Sequence, residues 1–220
     1  NATPSSVMLA AVDGLSGVSG IWYRIDGGVP QIYKGLPFSP GLSGRHTITA
    51  WTTDRAGNAT AETTEVTVDS DVPTVSDDAS GDWRTGDTTV TLSAYDTYSS
   101  VSSIDWVLSG AATGSGTSAA SSAAVPVTAE GTTVIAYTAI DIAGNRCATE
   151  TAMVRIDKTA PTVTVLPDSA EMVDAAHLTI SALDAVSGVA HVHWTLDGGS
   201  ESEGTTLAIT TPGTHTLSYR

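Results

Sequence analysis

A sixteen-residue phrase that occurs three times constrains this chain more than any other feature. It stands at Asp13–Gly28 (DGLSGVSGIWYRIDGG), at Asp96–Ala111 (DTYSSVSSIDWVLSGA) and at Asp184–Gly199 (DAVSGVAHVHWTLDGG). The copies align without a gap, which puts Asp13, Asp96 and Asp184 in one column and Tyr23, Trp106 and Trp194 in another. The intervals are 83 residues (13 to 96) and 88 residues (96 to 184). A period of that size exceeds the roughly 20–50 residues of a solenoid unit and suits a whole small domain, so the chain reads as a tandem array.

The residues around the phrase alternate with the period of two that marks a half-buried strand. Val7/Leu9/Ala11, Val90/Leu92/Ala94 and Leu178/Ile180/Ala182 predict a strand before each Asp. A second strand follows the Asp turn, with inward sets Ile21/Tyr23/Ile25, Ile104/Trp106/Leu108 and Val192/Trp194/Leu196. A large aromatic in mid-strand is what a two-sheet sandwich uses to fill its core. Asp26-Gly27-Gly28 and Asp197-Gly198-Gly199 then read as tight hairpin turns.

The middle of each repeat varies most. Val29–Pro40 and Ala111–Ala124 read as connections bearing short edge strands. Regularity resumes at Gly44-Arg45-His46, Gly131-Thr132-Thr133 and Gly213-Thr214-His215, each leading into a strand. In the first two repeats that strand ends in Asp54-Arg55-Ala56-Gly57-Asn58 and Asp141-Ile142-Ala143-Gly144-Asn145. Such a turn closes by Asx hydrogen bonds and a left-handed Gly. Last strands carry Val66/Val68 and Val154/Ile156 and run into Pro73 and Pro161, whose fixed φ makes a short, stiff linker.

The predicted fold is all-β: tandem immunoglobulin-like or fibronectin-III-like sandwiches joined by short proline-containing linkers. The units expected are 1–72 with a short or missing first strand, 73–160, and 161–220, which stops before its last strand. A sandwich lacking that strand exposes an edge, so the natural chain is expected to continue past Arg220. Asn1 and Ala2 read as a cloning remnant and take no part in the fold argument.

Composition narrows the setting. With 24 Asp and Glu against nine Lys and Arg, the formal charge is −15. Nucleic acid is excluded as a partner because phosphate binding needs clustered cations, whereas divalent metal suits such a surface. The single Cys147 rules out an internal disulfide framework and reads as a small packing residue. No apolar run is long enough to span a bilayer, so membrane insertion by this segment is not expected.

The phrases Asp-x-x-Ser-Gly-Val, Ile/Leu-Asp-Gly-Gly, Gly-x-His-Thr, Asp-x-Ala-Gly-Asn and Val-Asp-x-x-x-Pro-Thr-Val together resemble the bacterial immunoglobulin-like repeats of secreted surface proteins and adhesins. The similarity covers nearly the whole chain. Repeat two departs from it, with Ser100 in place of the Gly and Ser109-Gly110 in place of Asp-Gly, so its turns should differ. The resemblance implies a seven-stranded sandwich used as a stalk or spacer, or one appended to a carbohydrate-active enzyme. It also implies an extracellular or cell-surface location.

Signatures of catalysis are absent: the sequence has no nucleophile elbow, no His-Glu-x-x-His and no phosphate loop. An enzyme is therefore not expected. Lys34 and Lys158, the only lysines, lie outside convincing core strands and are set aside as crosslinking residues.

Two groups of residues remain as candidate sites. In such a sandwich the turn after the first Asp and the Asp-x-Ala-Gly-Asn turn share one pole, and the preceding unit's last strand ends against it. That arrangement gathers Asp69, Asp71, Asp96, Asp141 and Asn145 at the first seam, and Asp157 with Asp184 at the second. Clustered carboxylates suit Ca2+, which would stiffen the seams. The competing account is that each Asp only closes its own turn.

Trp22 and Trp51 form the second group. By strand parity both point away from the core on neighbouring strands, and paired aromatics can stack on sugars. An apolar patch or interdomain contact is the plainer account. His191 and His193 share one face of a strand, but no third metal ligand is visible in the sequence. His46 and His215 share core parity. The expected function is a non-enzymatic spacer or adhesion module of a bacterial extracellular protein, with Ca2+ at its seams. The alternative is a carbohydrate-binding accessory module using Trp22 and Trp51. Partners are neighbouring domains of the same polypeptide, with an extracellular protein or glycan as ligand.

Overall fold

The computed structural model describes residues 6–167 and 175–220. Every element among them is a β-strand. The sheets group along the sequence, and among the described residues no sheet has strands from both sides of Pro73 or of Pro161.

The middle region shows the complete unit. Its strands are β5 (Thr74–Asp77), β6 (Trp83–Arg84), β7 (Thr88–Tyr95), β8 (Val101–Gly110), β9 (Gly114–Ser118), β10 (Ser122–Val127), β11 (Gly131–Asp141) and β12 (Glu150–Ile156). They form one sheet in the order β10-β7-β5 and another in the order β6-β12-β11-β8-β9. Burial alternates strictly along β10 and along most of β11, as strands with one face in a core require. Val90, Leu92, Val125 and Val127 of the first sheet meet Ile104, Ile135, Ala139, Val154 and Ile156 of the second in one buried cluster. That is an all-β sandwich. Pro126 sits in β10, an edge strand, where its missing N–H costs no ladder bond.

The first region has β1 (Val18–Ile25), β2 (Gln31–Ile32), β3 (Gly44–Asp54) and β4 (Ala59–Val68), in one sheet ordered β2-β1-β3-β4. Tyr23, Ile48 and Val68 are buried on its inner face, and Phe38 stacks on Tyr23 at 4.2 Å between ring centroids. Here one expectation is corrected. Val7–Val12 keeps the alternating exposure of a strand but, among the described residues, forms a single bridge, Val7 to Phe38, and no ladder. The pattern specifies a face, yet a ladder also needs a neighbouring strand running alongside in register.

The third region has β13 (Thr162–Pro167), β14 (Ala176–Leu183), β15 (His193–Leu196), β16 (Ser202–Glu203), β17 (Thr206–Ile209) and β18 (Leu217–Tyr219). Its sheets are ordered β13-β14-β17 and β16-β15-β18 around Ile180, Val192 and Leu207.

The turns follow from local chemistry. Asp26 and Gly27 have φ of 49° and 71°, and Asp197 and Gly198 have 53° and 69°. Positive φ at both central residues defines the type I′ hairpin, and it is closed by Gly28 N–H to Ile25 O and by Gly199 N–H to Leu196 O. Repeat two carries Ser109-Gly110 at this place, extends β8 through Gly110, and joins it to β9 by three residues where the other two repeats use five.

Candidate functional site

The site is built at the pole where β4 hands the chain to the middle sandwich. Val68 ends β4 with 4% exposure, and Pro73, which opens the next unit, is fully buried. Between them, Asp69 accepts a hydrogen bond from Asp71 N–H at 3.1 Å through Oδ1. Its other oxygen, Oδ2, is buried and has no hydrogen-bond partner.

Two turns of the middle sandwich face it. Asp96 Oδ1 accepts from the backbone N–H groups of Tyr98 (3.0 Å) and Ser99 (2.8 Å), which folds the turn before β8. Asp141, 1% exposed, accepts from Asn145 N–H and from its Nδ2, each at 2.8 Å. Gly144 supplies the left-handed residue, at φ 92°. Repeat one builds the same turn, with Asp54 bonded to Asn58 N and Nδ2 at 2.8 and 2.7 Å and Gly57 at φ 92°.

The consequence is convergence. One oxygen from each of Asp69, Asp96 and Asp141 lies within 4.8 Å of the others. At an effective dielectric near 20, like charges so spaced repel by roughly 3 kcal/mol per pair. Asn145 Nδ2 also donates to Asp69 O at 3.3 Å, tying the tail of β4 to the middle unit.

The sequence-predicted residues divide accordingly. Asp69, Asp96, Asp141 and Asn145 come together. Asp71 does not: its carboxylate accepts from the Ser43 hydroxyl at 2.9 Å, because the chain reverses after Asp69 and turns the next acidic side chain outward.

At the second seam Asp157, 8% exposed, accepts from Thr159 N–H at 3.0 Å and from Ser187 N–H at 2.9 Å. Ser187 N–H also reaches Asp184 Oδ1 at 2.9 Å, so one backbone donor is shared by the two carboxylates. Hydrogen bonds from the Ser187 side chain and the Thr159 backbone hold the Asp157 carboxyl below its usual range. Among the described residues no third carboxylate joins this pair.

Trp22 and Trp51 stand directly opposite each other in the β1–β3 ladder, but both are half-buried. Gly20 leaves room for the Trp22 ring, which lies where a Cβ at that glycine would come within 2.9 Å of it. The expectation of an exposed pair is therefore corrected: the absence of a side chain at Gly20 lets the indole fold down onto its own strand.

Several partnerships were missed in the sequence. His46 Nδ1 meets Asp26 Oδ2 at 2.7 Å while Nε2 meets Leu42 O at 2.9 Å. His215 repeats this with Asp197 Oδ2 at 2.7 Å and Thr211 O at 2.8 Å. The signal was present, since Asp and His occur together in repeats one and three and are both replaced in repeat two, by Ser109 and Thr133. His191 pairs with Glu203 at 2.9 Å and His193 lies 4.0 Å from Glu201. Cys147 accepts from Ala139 N–H through sulfur at 3.1 Å and packs on the middle core.

Strand order, buried cores and buried seam residues define the class: a tandem array of immunoglobulin- and fibronectin-III-like β-sandwich modules. No family model matches the chain, and no curated protein does. Among solved structures it is similar to fibronectin(III)-like modules of Clostridium thermocellum CbhA. The identity is 18% and the TM-score 0.35, over 66% of this chain and 83% of that one. It is also similar to a tetra-tandem repeat in the extending region of a large adhesion protein. There the identity is 18% and the TM-score 0.36, over 87% of this chain and 57% of that one. Both similarities are distant, and the fold assignment rests on the strand order and cores.

Proposed function

We propose that this chain is a non-catalytic spacer or adhesion segment of a bacterial extracellular protein, and that Ca2+ bound by Asp69, Asp96 and Asp141 stiffens its first seam. One observation carries the metal reading. Asp69 Oδ2 is buried without a donor beside two further carboxylates, where a cation supplies what the protein does not. Among the described residues, no Lys or Arg forms a salt bridge with any of the three. Ca2+ takes six to eight oxygens, so three carboxylates leave room for carbonyls or water. The spacer reading is supported by the array itself and by the resemblance to surface-protein repeats.

The test uses the sign of a substitution. Asp69→Asn keeps the shape and the acceptor for Asp71 N–H but removes a charge. In chelator it should raise the melting temperature of the full chain by relieving repulsion. In Ca2+ it should lower it relative to the parent, which gains about 2.7 kcal/mol at a hundred times its Kd. If Ca2+ shifts neither protein in a melting scan, the metal reading is wrong. The carbohydrate-binding alternative rests on Trp22 and Trp51, whose partial burial supports it less than the carboxylate cluster supports the metal reading.

A further inference from the structure

The sequence offers His191 and His193 as a pair on one strand face with no third ligand, and the fold supplies what the pair lacks. Their rings stand 5.9 Å apart between centroids, tilted by 43°. β16 runs antiparallel beside them, with Glu203 directly opposite His193 and Ser202 opposite Trp194. His193 exchanges both main-chain bonds with Arg220 on its other side, each at 2.9 Å. Its pairing with Glu203 is therefore the narrow, non-hydrogen-bonded kind that brings side chains closest. Gly204 N–H to Val192 O, at 3.0 Å, carries the pairing on toward His191. Glu201, two residues before Glu203, projects to the same face.

The distances suit a metal ion. His191 Nδ1 lies 2.9 Å from Glu203 Oε1. Two ligand atoms on one tetrahedral Zn2+ stand about 3.3 Å apart, given metal–ligand distances of roughly 2.0–2.1 Å, so this pair is already near the spacing an ion requires. The hydrogen bond from His191, then its charge, holds the Glu203 carboxyl below its usual range, which keeps it anionic. His193 Nδ1 is 4.0 Å from Glu201 Oε2, and Arg220 holds the other Glu201 oxygen at 2.8 Å. A carboxylate beside one ring nitrogen fixes a histidine's tautomer and leaves the other nitrogen to ligate. Among the described residues only Asp69, Asp96 and Asp141 already bring three ligand atoms within 4.8 Å of one another. Here the third ligand arrives by rotation of the His193 side chain. Two imidazoles on one tetrahedral ion sit about 5 Å apart between centroids, against the 5.9 Å found, so the closure is short.

We infer that His191, His193 and Glu203 form a binding site for a divalent ion of the Zn2+ class, with Glu201 positioning His193. Imidazole nitrogen suits Zn2+, whereas Ca2+ takes oxygens, so this face and the carboxylate joint select different metals. Three protein ligands leave a fourth position for water. The fold itself does not require the group: at the aligned positions repeat one carries Gly20 and Trp22, and repeat two Ser103 and Asp105. Nor does stability account for it, since exposed ion pairs contribute little. All three ligands are described residues on the β15–β16 side of the sheet, and none is shared with the first seam.

The experiment titrates the full chain with Zn2+ by calorimetry, in excess Ca2+ so that the seam carboxylates are occupied. The expected result is one saturable equivalent near about pH 7.5, weakened at least about tenfold near pH 5.5, where an ordinary imidazole is protonated and cannot ligate. In nuclear magnetic resonance of the unaltered chain, the ring signals of His191 and His193 should move with added Zn2+ while those of His46, His177 and His215 stay. His191→Ala, His193→Ala and Glu203→Gln should each weaken binding at least about tenfold. His177→Ala, on the other sheet, should bind as the parent does. Glu201→Gln, which keeps an acceptor for His193, should cost less than Glu201→Ala. Co2+ in place of Zn2+ should show the visible absorption of a tetrahedral site. No saturable binding, equal binding by the three ligand variants, or movement of the other histidines instead would mark an adventitious ion only and overturn the inference.

Discussion

Asn145 does more at residue scale than close a turn. Its side-chain nitrogen donates both to Asp141, at 2.8 Å, and to the Asp69 carbonyl across the seam, at 3.3 Å. Asn58, in the aligned turn of repeat one, bonds Asp54 alone. Asn145→Ala leaves one oxygen of a buried carboxylate without a donor. The expected cost is about 1–3 kcal/mol in urea unfolding, with a smaller loss for Asn58→Ala, whose turn is solvated. Sequence comparison makes the two asparagines equivalent. Only the approach of Asp69 separates them, and it depends on how the preceding unit docks.

At the scale of an element, the β3 and β18 hairpins share a device that the middle unit lacks. Both ring nitrogens of His46 and of His215 face acceptors, so the doubly protonated imidazolium is the form that satisfies the geometry. The bond that His46 donates to Asp26, then the one it donates to the Leu42 carbonyl, raises its pKa above the ordinary 6.5. Asp197 and the Thr211 carbonyl do the same for His215. The histidine partners in turn lower Asp26 and Asp197 below 3.8.

The signs fix the pH window. A raised histidine contributes stability that is complete below pH 6.5 and is lost as pH climbs through the raised value. A lowered aspartate contributes stability above pH 3.8 and loses it as pH falls through the lowered value. The clamps therefore act fully between about pH 4 and 6.5. Repeats one and three should melt at progressively lower temperature as pH rises from 6 to 9. Repeat two, with Thr133 in the histidine's place, should not. His46→Gln and His215→Gln should flatten the slope. An unchanged slope in those variants would place its origin elsewhere.

Taken as a whole molecule, the chain carries a formal charge of −15 and concentrates three carboxylates at one joint. If Ca2+ fills that joint, small-angle scattering should give a narrower distribution of end-to-end distance in Ca2+ than in chelator, and Asp69→Asn should erase the difference. The second joint, with two carboxylates sharing the Ser187 N–H, should respond far less. Equal stiffening of both joints would indicate general charge screening instead of a site.

The sequence by itself determined the β period, the inward residues and the turn chemistry. Each is local: alternation assigns faces, and Asp-Gly and Asp-x-Ala-Gly-Asn close their turns within five residues. Ile104, Leu92 and Tyr23 are buried where parity puts them. What only tertiary structure decided is everything that depends on two distant segments meeting. It brought Asp69 to Asp141 and sent Asp71 away, laid Trp22 over Gly20, joined His191 to Glu203, and held Val7 to Phe38. Side-chain pattern specifies which way a residue faces, but the neighbour it meets there is set by docking across tens of residues.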